Sequence, residues 1–196
     1  DMIRKNPLNC KLIRIKFSTK SLHESSMSSF RPELETCPVC GRKGDCSNHD
    51  TYERFVIDFI NGTPVSSSIN IQRVMCSCGH THAVLPDPVI PYRCYSLFFI
   101  LRALYEYFLH LRSVGSLCAR FGITPSMLYR WKKLFLEHRR EWLGLLASVE
   151  ESPLASLKTL VRFDPFRDFA CSFISKTGIT FMQSHRNPAA SRQGHP

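Results

Sequence analysis

The chain has 196 residues, with 26 Lys and Arg against 16 Asp and Glu, for a formal net charge of +10. That length holds one or two small domains and excludes a large multi-domain enzyme, and a hydrophobic fraction of 43% excludes a disordered chain. The surplus positive charge points to a polyanionic partner, most often nucleic acid and sometimes an anionic membrane surface.

The first segment, 1–35, is a basic and then Ser-rich arm. Its first thirty residues hold six basic and two acidic groups. Lys11–Phe17 has the composition of one strand, and the rest reads as a flexible tail.

From 36 to 90 the texture changes. Tyr52–Ile60 is aromatic and β-branched, Asn61-Gly62 is a two-residue hairpin signal, and a second extended run from Val65 leads through Ile69, Ile71 and Val74 into Cys76. Two cysteine pairs flank this hairpin, Cys37-Pro-Val-Cys40 and Cys76-Ser-Cys78. Four thiolates on two short loops complete the tetrahedral shell of a structural Zn2+ ion, with no position left open for chemistry. Gly41 and Gly79 supply the backbone freedom each knuckle needs. The second pair has one intervening residue where two are usual, so His80 and His82 stay open as substitute ligands. Cys46 and His49 offer half of a weaker second site. Such knuckles suit a reducing compartment better than a secreted disulfide framework.

Pro86, Pro88 and Pro91 read as an extended linker. Beyond it, 91–148 is expected to be all-helical, and its stretch 91–146 holds nine basic and three acidic residues. Tyr95–Leu111 reads as a buried helix whose Arg102, Glu106 and His110, at spacing four, make one wet edge. It is too short and too charged to span a bilayer, and no apolar core of leader length follows the basic N-terminus. A soluble, cytoplasmic, nucleoid-associated protein is expected. Residues 114–121 form a short helix after a Ser113 cap. Gly122 takes a left-handed turn, and Thr124-Pro125 starts a longer helix to about Ala147. Leu117, Phe121, Ile123, Leu128 and Trp131 face inward, with the small Cys118 and Ala119 where the helices touch.

This is a helix-turn-helix pattern, which leaves Ser126, Tyr129, Arg130 and Lys133 outward, Lys132 beside them and Thr124 at the cap, as DNA-contacting candidates. Arg139 and Arg140 are expected at backbone phosphate or solvent. An ordinary helical hairpin is the bland alternative. Residues 149–196 read as a helical extension, with helices near 153–162 and 165–175, and a polar tail.

Taken together, Cys37-Pro-Val-Cys-Gly41, Arg73-Val-Met-Cys-Ser-Cys-Gly-His-Thr-His-Ala-Val-Leu-Pro86 and the helix pair resemble a family of small transposon-associated bacterial zinc-ribbon proteins. The layout is similar to the N-terminal DNA-binding region of insertion-sequence transposases. The resemblance covers about 37–142 and also takes in Phe181-Met-Gln-Ser-His-Arg-Asn-Pro188. It implies Cys37, Cys40, Cys76 and Cys78 as zinc ligands. The three carboxylates and RNase-H-like sheet of a full transposase have no counterpart in the roughly fifty residues that follow.

The expected fold class is α+β, a β-hairpin zinc ribbon followed by an all-α helix-turn-helix domain. The expected function is sequence-specific binding of double-stranded DNA by a transposon-associated factor with no catalytic site. A second reading is an adaptor that holds a transposase or integrase. A remote third is a metal nuclease, prompted by Asn48-His49-Asp50 with His80 and His82.

Overall fold

The computed structural model describes residues 10–13, 25, 27–86, 88–146, 152–160, 173, 177 and 179–184. It is α+β. Strands β1 (Cys10–Ile13), β2 (Cys46–Ile60), β3 (Thr63–Cys76) and β4 (Thr81–Pro86) are followed by helices α1 (Leu97–Phe108), α2 (Val114–Phe121), α3 (Pro125–Leu146) and α4 (Pro153–Leu160). Residues 14–17 of the expected first strand, most of the basic arm, the 165–175 helix apart from Phe173, and 185–188 lie outside the described residues.

The sheet runs β1-β4-β3-β2, antiparallel except where β1 lies parallel to β4. Asn61 and Gly62 have φ of 50° and 85°, the double-positive turn whose twist matches that of the strands it joins. From that turn the β2–β3 ladder runs back from Ile60↔Thr63 to Cys46↔Cys76, with one bulge between Asn48 and Asp50. The hairpin is therefore longer than the two runs read from composition, and it sets which side chains share a face. Paired residues point the same way and sequence neighbours point opposite ways. Val74 pairs with His82 and Arg73 with Ala83, so Val74, Cys76 and His82 occupy one face while Asp50, Arg73, Thr81 and Ala83 occupy the other.

Pro86 and residues 88–91 of the expected extended linker are buried. Val89 and Ile90 are 2% and 1% exposed. Ile57 N–H donates to Cys94 O at 2.7 Å, Ser96 N–H to Ile57 O at 2.9 Å and Leu97 N–H to Pro88 O at 2.8 Å. The segment thus docks along β2 and seats α1. Ser96 caps α1 by accepting from Phe99 N at 3.0 Å, and its hydroxyl donates to Asp58 Oδ1 at 2.9 Å.

The helical core gathers Phe99, Leu117, Phe121, Leu128, Trp131 and Phe135, and β2 contributes Ile57 and Phe59. Phe59 stacks on Phe121 with centroids 4.3 Å apart. The expected wet edge of α1 is corrected at Glu106, which is buried because two arginines cover its carboxylate, Arg102 Nε at 3.2 Å and Arg120 Nε at 3.3 Å. His110 falls beyond the helix, at φ 52°. Ala119 is exposed rather than wedged between helices, while Cys118 is buried as expected.

Of the segment Phe181–Pro188 the structure describes 181–184, which with Ile179 and Thr180 form a largely buried plug. Phe181 and Met182 are both 2% exposed, Met182 N–H donates to His138 Nδ1 at 3.1 Å, and Gln183 Oε1 accepts from Thr180 N at 3.1 Å. α4 packs against α1 and α3, with Ser156 Oγ taking a hydrogen bond from Arg139 Nε at 3.0 Å. Arg139 is therefore a structural clasp and is not held out toward phosphate.

Gly122 closes α2 at φ 60°. Gly122 N–H donates to Ala119 O at 3.3 Å and Ile123 N–H to Cys118 O at 3.0 Å, which satisfies the last carbonyls of the helix. A Cβ at Gly122 would meet nothing within 4 Å, so the cost of adding one is purely conformational. Gly122→Ala should destabilise by about 1–2 kcal/mol, read as a lower urea midpoint with an unchanged slope.

Candidate metal centre

Two knuckles converge on the Cys76 face of the sheet. In the first, Gly41 N–H donates to Cys37 O and Cys37 N–H to Arg42 O, both at 2.9 Å, with a Thr36↔Lys43 bridge closing the loop. In the second, Gly79 N–H donates to Cys76 O at 2.9 Å and Cys76 N–H to His80 O at 3.0 Å. Ser77 N–H donates to Asp45 O at 3.0 Å, tying one knuckle's approach to the other.

The result is a cluster of four sulfurs, Cys37, Cys40, Cys76 and Cys78, all within 4.8 Å of one another. Cys37 and Cys78 are 3.7 Å apart, Cys40 and Cys76 3.6 Å. These sulfurs could hold a metal ion. Sulfurs at the corners of a tetrahedron with metal–sulfur bonds of about 2.3 Å would be separated by about 3.8 Å.

The electrostatics have the same requirement. Cys76 is pulled down to about 6, first by the backbone N–H of Cys78 and then by hydrogen bonds from neighbouring thiols. At Cys78 the backbone N–H of His80 also pulls down, but desolvation and hydrogen bonding with Cys76, Cys40 and Cys37 outweigh it and push the thiol up to about 12. Metal ligation by cysteine requires the thiolate, so a bound cation would favour the ionised form. Arg42 lies at the rim, its guanidinium held above its ordinary range first by Cys40 and then by Asp45.

His80 and His82 stand behind the sulfurs. His82 is 1% exposed with Nε2 3.3 Å from Cys37 Sγ, and His80 Nδ1 is 3.5 Å from Cys78 Sγ. Ring nitrogens in hydrogen-bond reach of a thiolate orient it and tune its charge. The sequence marks His82 as a candidate ligand or nuclease residue, but its place beside Cys37 follows from the Val74↔His82 register. Cys46 and His49 join no group of three or more donors among the described residues. Asp50 and His82 fall on opposite faces of the sheet, while Asn48, paired with Val74, shares the His82 face.

Of the residues expected to contact DNA, Ser126, Tyr129, Arg130 and Lys133 are exposed on the first turns of α3. The opposite face, Leu128 and Trp131, is buried at 0% and 8% exposure. Thr124 Oγ1 caps the helix, accepting from Met127 N at 3.2 Å. Lys132 is turned away from them. Its Nζ donates to Tyr107 Oη at 3.0 Å and lies over that ring, because the end of α1 offers both an acceptor and a π face.

No helix among the described residues is long and apolar enough to cross a membrane. No curated protein and no solved structure matches the chain. Residues 37–131 match a domain of unknown function, DUF6431, a stretch that begins at the first cysteine of the metal cluster and ends at Trp131 in α3.

Proposed function

We propose that the four thiolates hold a structural zinc ion and that the chain binds double-stranded DNA through the N-terminal turns of α3, as a transposon-associated accessory factor. The observation that carries the DNA reading is the two-sidedness of α3. Leu128 and Trp131 anchor it, while Ser126, Tyr129, Arg130 and Lys133 stand in solvent on its first turns. α2 and the left-handed Gly122 turn before it support reading the pair as a helix-turn-helix, whose second helix would offer short polar groups and arginine to base edges. Among the described residues Arg130 has no ion pair. Lys133 lies 3.8 Å from Glu137 in a pair whose lysine is 79% exposed. An exposed pair of that kind is worth little and yields readily to a phosphate.

All-thiolate ligation by four cysteines favours zinc over harder cations. A closed shell of this kind is structural, so its part is to fix the knuckles at the end of the sheet. The hairpin reaches the helix pair directly, through Phe59 on Phe121 and Arg120 over the Phe59 ring at 5.3 Å. The transposon setting is supported by the resemblance of the cysteine and helix motifs alone.

Arg130→Ala should weaken binding to a selected duplex by about 1–3 kcal/mol, roughly tenfold to a hundredfold. Affinity should also fall steeply with salt. Both are read in gel shifts at two ionic strengths. Unchanged affinity in the variant would remove α3 from the interface.

A further inference from the structure

On the face of the sheet turned away from the cysteine cluster, the strands and the turn at 90–93 enclose an open cleft of about 720 Å3. Two tyrosine side chains border it in solvent: Tyr52, which its pairing with Ile71 places on the Arg73 face, and Tyr92 are 38% and 70% exposed. Single exposed apolar residues are ordinary, but two aromatic rings bordering one depression point to a binding surface.

Two arginines stand among them. Arg73 is fixed by a two-pronged hydrogen bond to Asp50, Nε to Oδ1 at 2.6 Å and Nη2 to Oδ2. Arg93 donates from Nη2 to the Ser184 hydroxyl at 2.8 Å. That acceptor is neutral, so the charge of Arg93 stays available to an anion.

The backbone under Tyr92 is a second, independent sign. Ile90-Pro91-Tyr92-Arg93 is a turn closed by Arg93 N–H donating to Ile90 O at 3.2 Å, with Tyr92 at φ 61°. Positive φ at the third turn position is glycine's place, and a side chain with a Cβ is disfavoured there. Backbone held this way tends to occur at ligand sites, where the surroundings enforce it. Here Arg54 enforces it, its Nη2 donating to both Ile90 O and Arg93 O at 2.5 Å.

We propose that this cleft binds unpaired nucleotides of single-stranded DNA, with bases stacked on Tyr52 and Tyr92 and phosphate on Arg93. Aromatic faces beside cations are how proteins hold single strands without reading sequence, since every base has a π face. A duplex keeps its base faces stacked inside and cannot use these rings. The volume lies in the range of small-ligand sites. No residue of α2 or α3 lines the cleft, so the site is separate from the duplex contact proposed above and does not depend on it.

The test is fluorescence anisotropy on the full chain with labelled oligothymidylate and, in parallel, labelled duplex. Tyr52→Ala should weaken oligothymidylate binding about tenfold, with duplex affinity and metal content unchanged. Tyr92→Gly removes the ring and relieves the turn, so it should lose oligothymidylate affinity without losing thermal stability. Arg130→Ala should leave oligothymidylate affinity as in the wild type, which separates this site from the α3 reading. The proposal is overturned if the wild type does not bind oligothymidylate or if both cleft variants bind it as tightly as the wild type. Equal losses on strand and duplex would overturn it as well.

Discussion

Cys37→Ser, or removal of the metal by a chelator, is expected to unfold the cysteine-bearing end of the sheet while the helical core stays folded. The buried cluster at that end consists of Cys37, Cys46, Val74, Cys76 and Val84, so only two of its five members are ordinary apolar residues. Burying two valines contributes about 3–6 kcal/mol. Ordering the backbone of the two knuckles and the adjoining strands costs about 1–2 kcal/mol for each residue, so packing alone falls far short. A structural zinc site would supply roughly 10–16 kcal/mol, several times what the two valines contribute. Cys37 is 1% exposed and touches both Cys78 and His82, and a serine there leaves three thiolates and a poor fourth donor. Hydrogen exchange should show protection lost over 37–50 and 73–84 and kept over 97–104. Full protection of the knuckles in metal-free protein would show that the thiols only pack.

Phe121→Ala is expected to be the most damaging change outside the metal centre, at about 3–5 kcal/mol. Phe121 is 1% exposed, stacks on Phe59 at 4.3 Å and meets Phe99 edge-on at 5.6 Å. It joins the hairpin to α1 and α2 at one point, so its removal opens a cavity that three elements would have to collapse to fill. Against a total stability of about 5–15 kcal/mol, the melting temperature should fall by about 10 °C. Phe55→Ala is the matched control, because its ring stands in solvent, and it should shift stability by less than about 0.5 kcal/mol. Equal melting temperatures for the two variants would contradict the packing described here.

What was legible in the sequence was local. Asn61-Gly62, the two cysteine pairs, Ser113, Gly122 and Thr124 each act within a few residues, through turn geometry, ligand spacing or capping. Their structures follow the expectation. What escaped were contacts between distant segments. Lys132 reads as an outward cation because nothing near it in sequence competes, yet Tyr107, twenty-five residues earlier, holds it. Glu106 reads as wet because its partner Arg120 lies beyond the next turn. Segment 86–91 reads as a linker because prolines punctuate it, while its burial comes from pairing beside β2 and seating α1. The 179–184 plug carries no pattern of its own, and its place is set by His138 and the aromatic core around it. The aromatic cleft was missed for the same reason. Tyr52 comes from β2, and Tyr92 joins it only through a turn clamped by Arg54.

The central claim is that a zinc-held sheet end and a helix pair together make a sequence-specific duplex-binding protein. The most direct measurement is selection of bound fragments from a random duplex pool by the zinc-loaded chain, run beside the Arg130→Ala variant. The account predicts one enriched motif for the zinc-loaded chain and its loss in the variant. A pool left unenriched by the zinc-loaded chain, or the same motif recovered by Arg130→Ala, would contradict it.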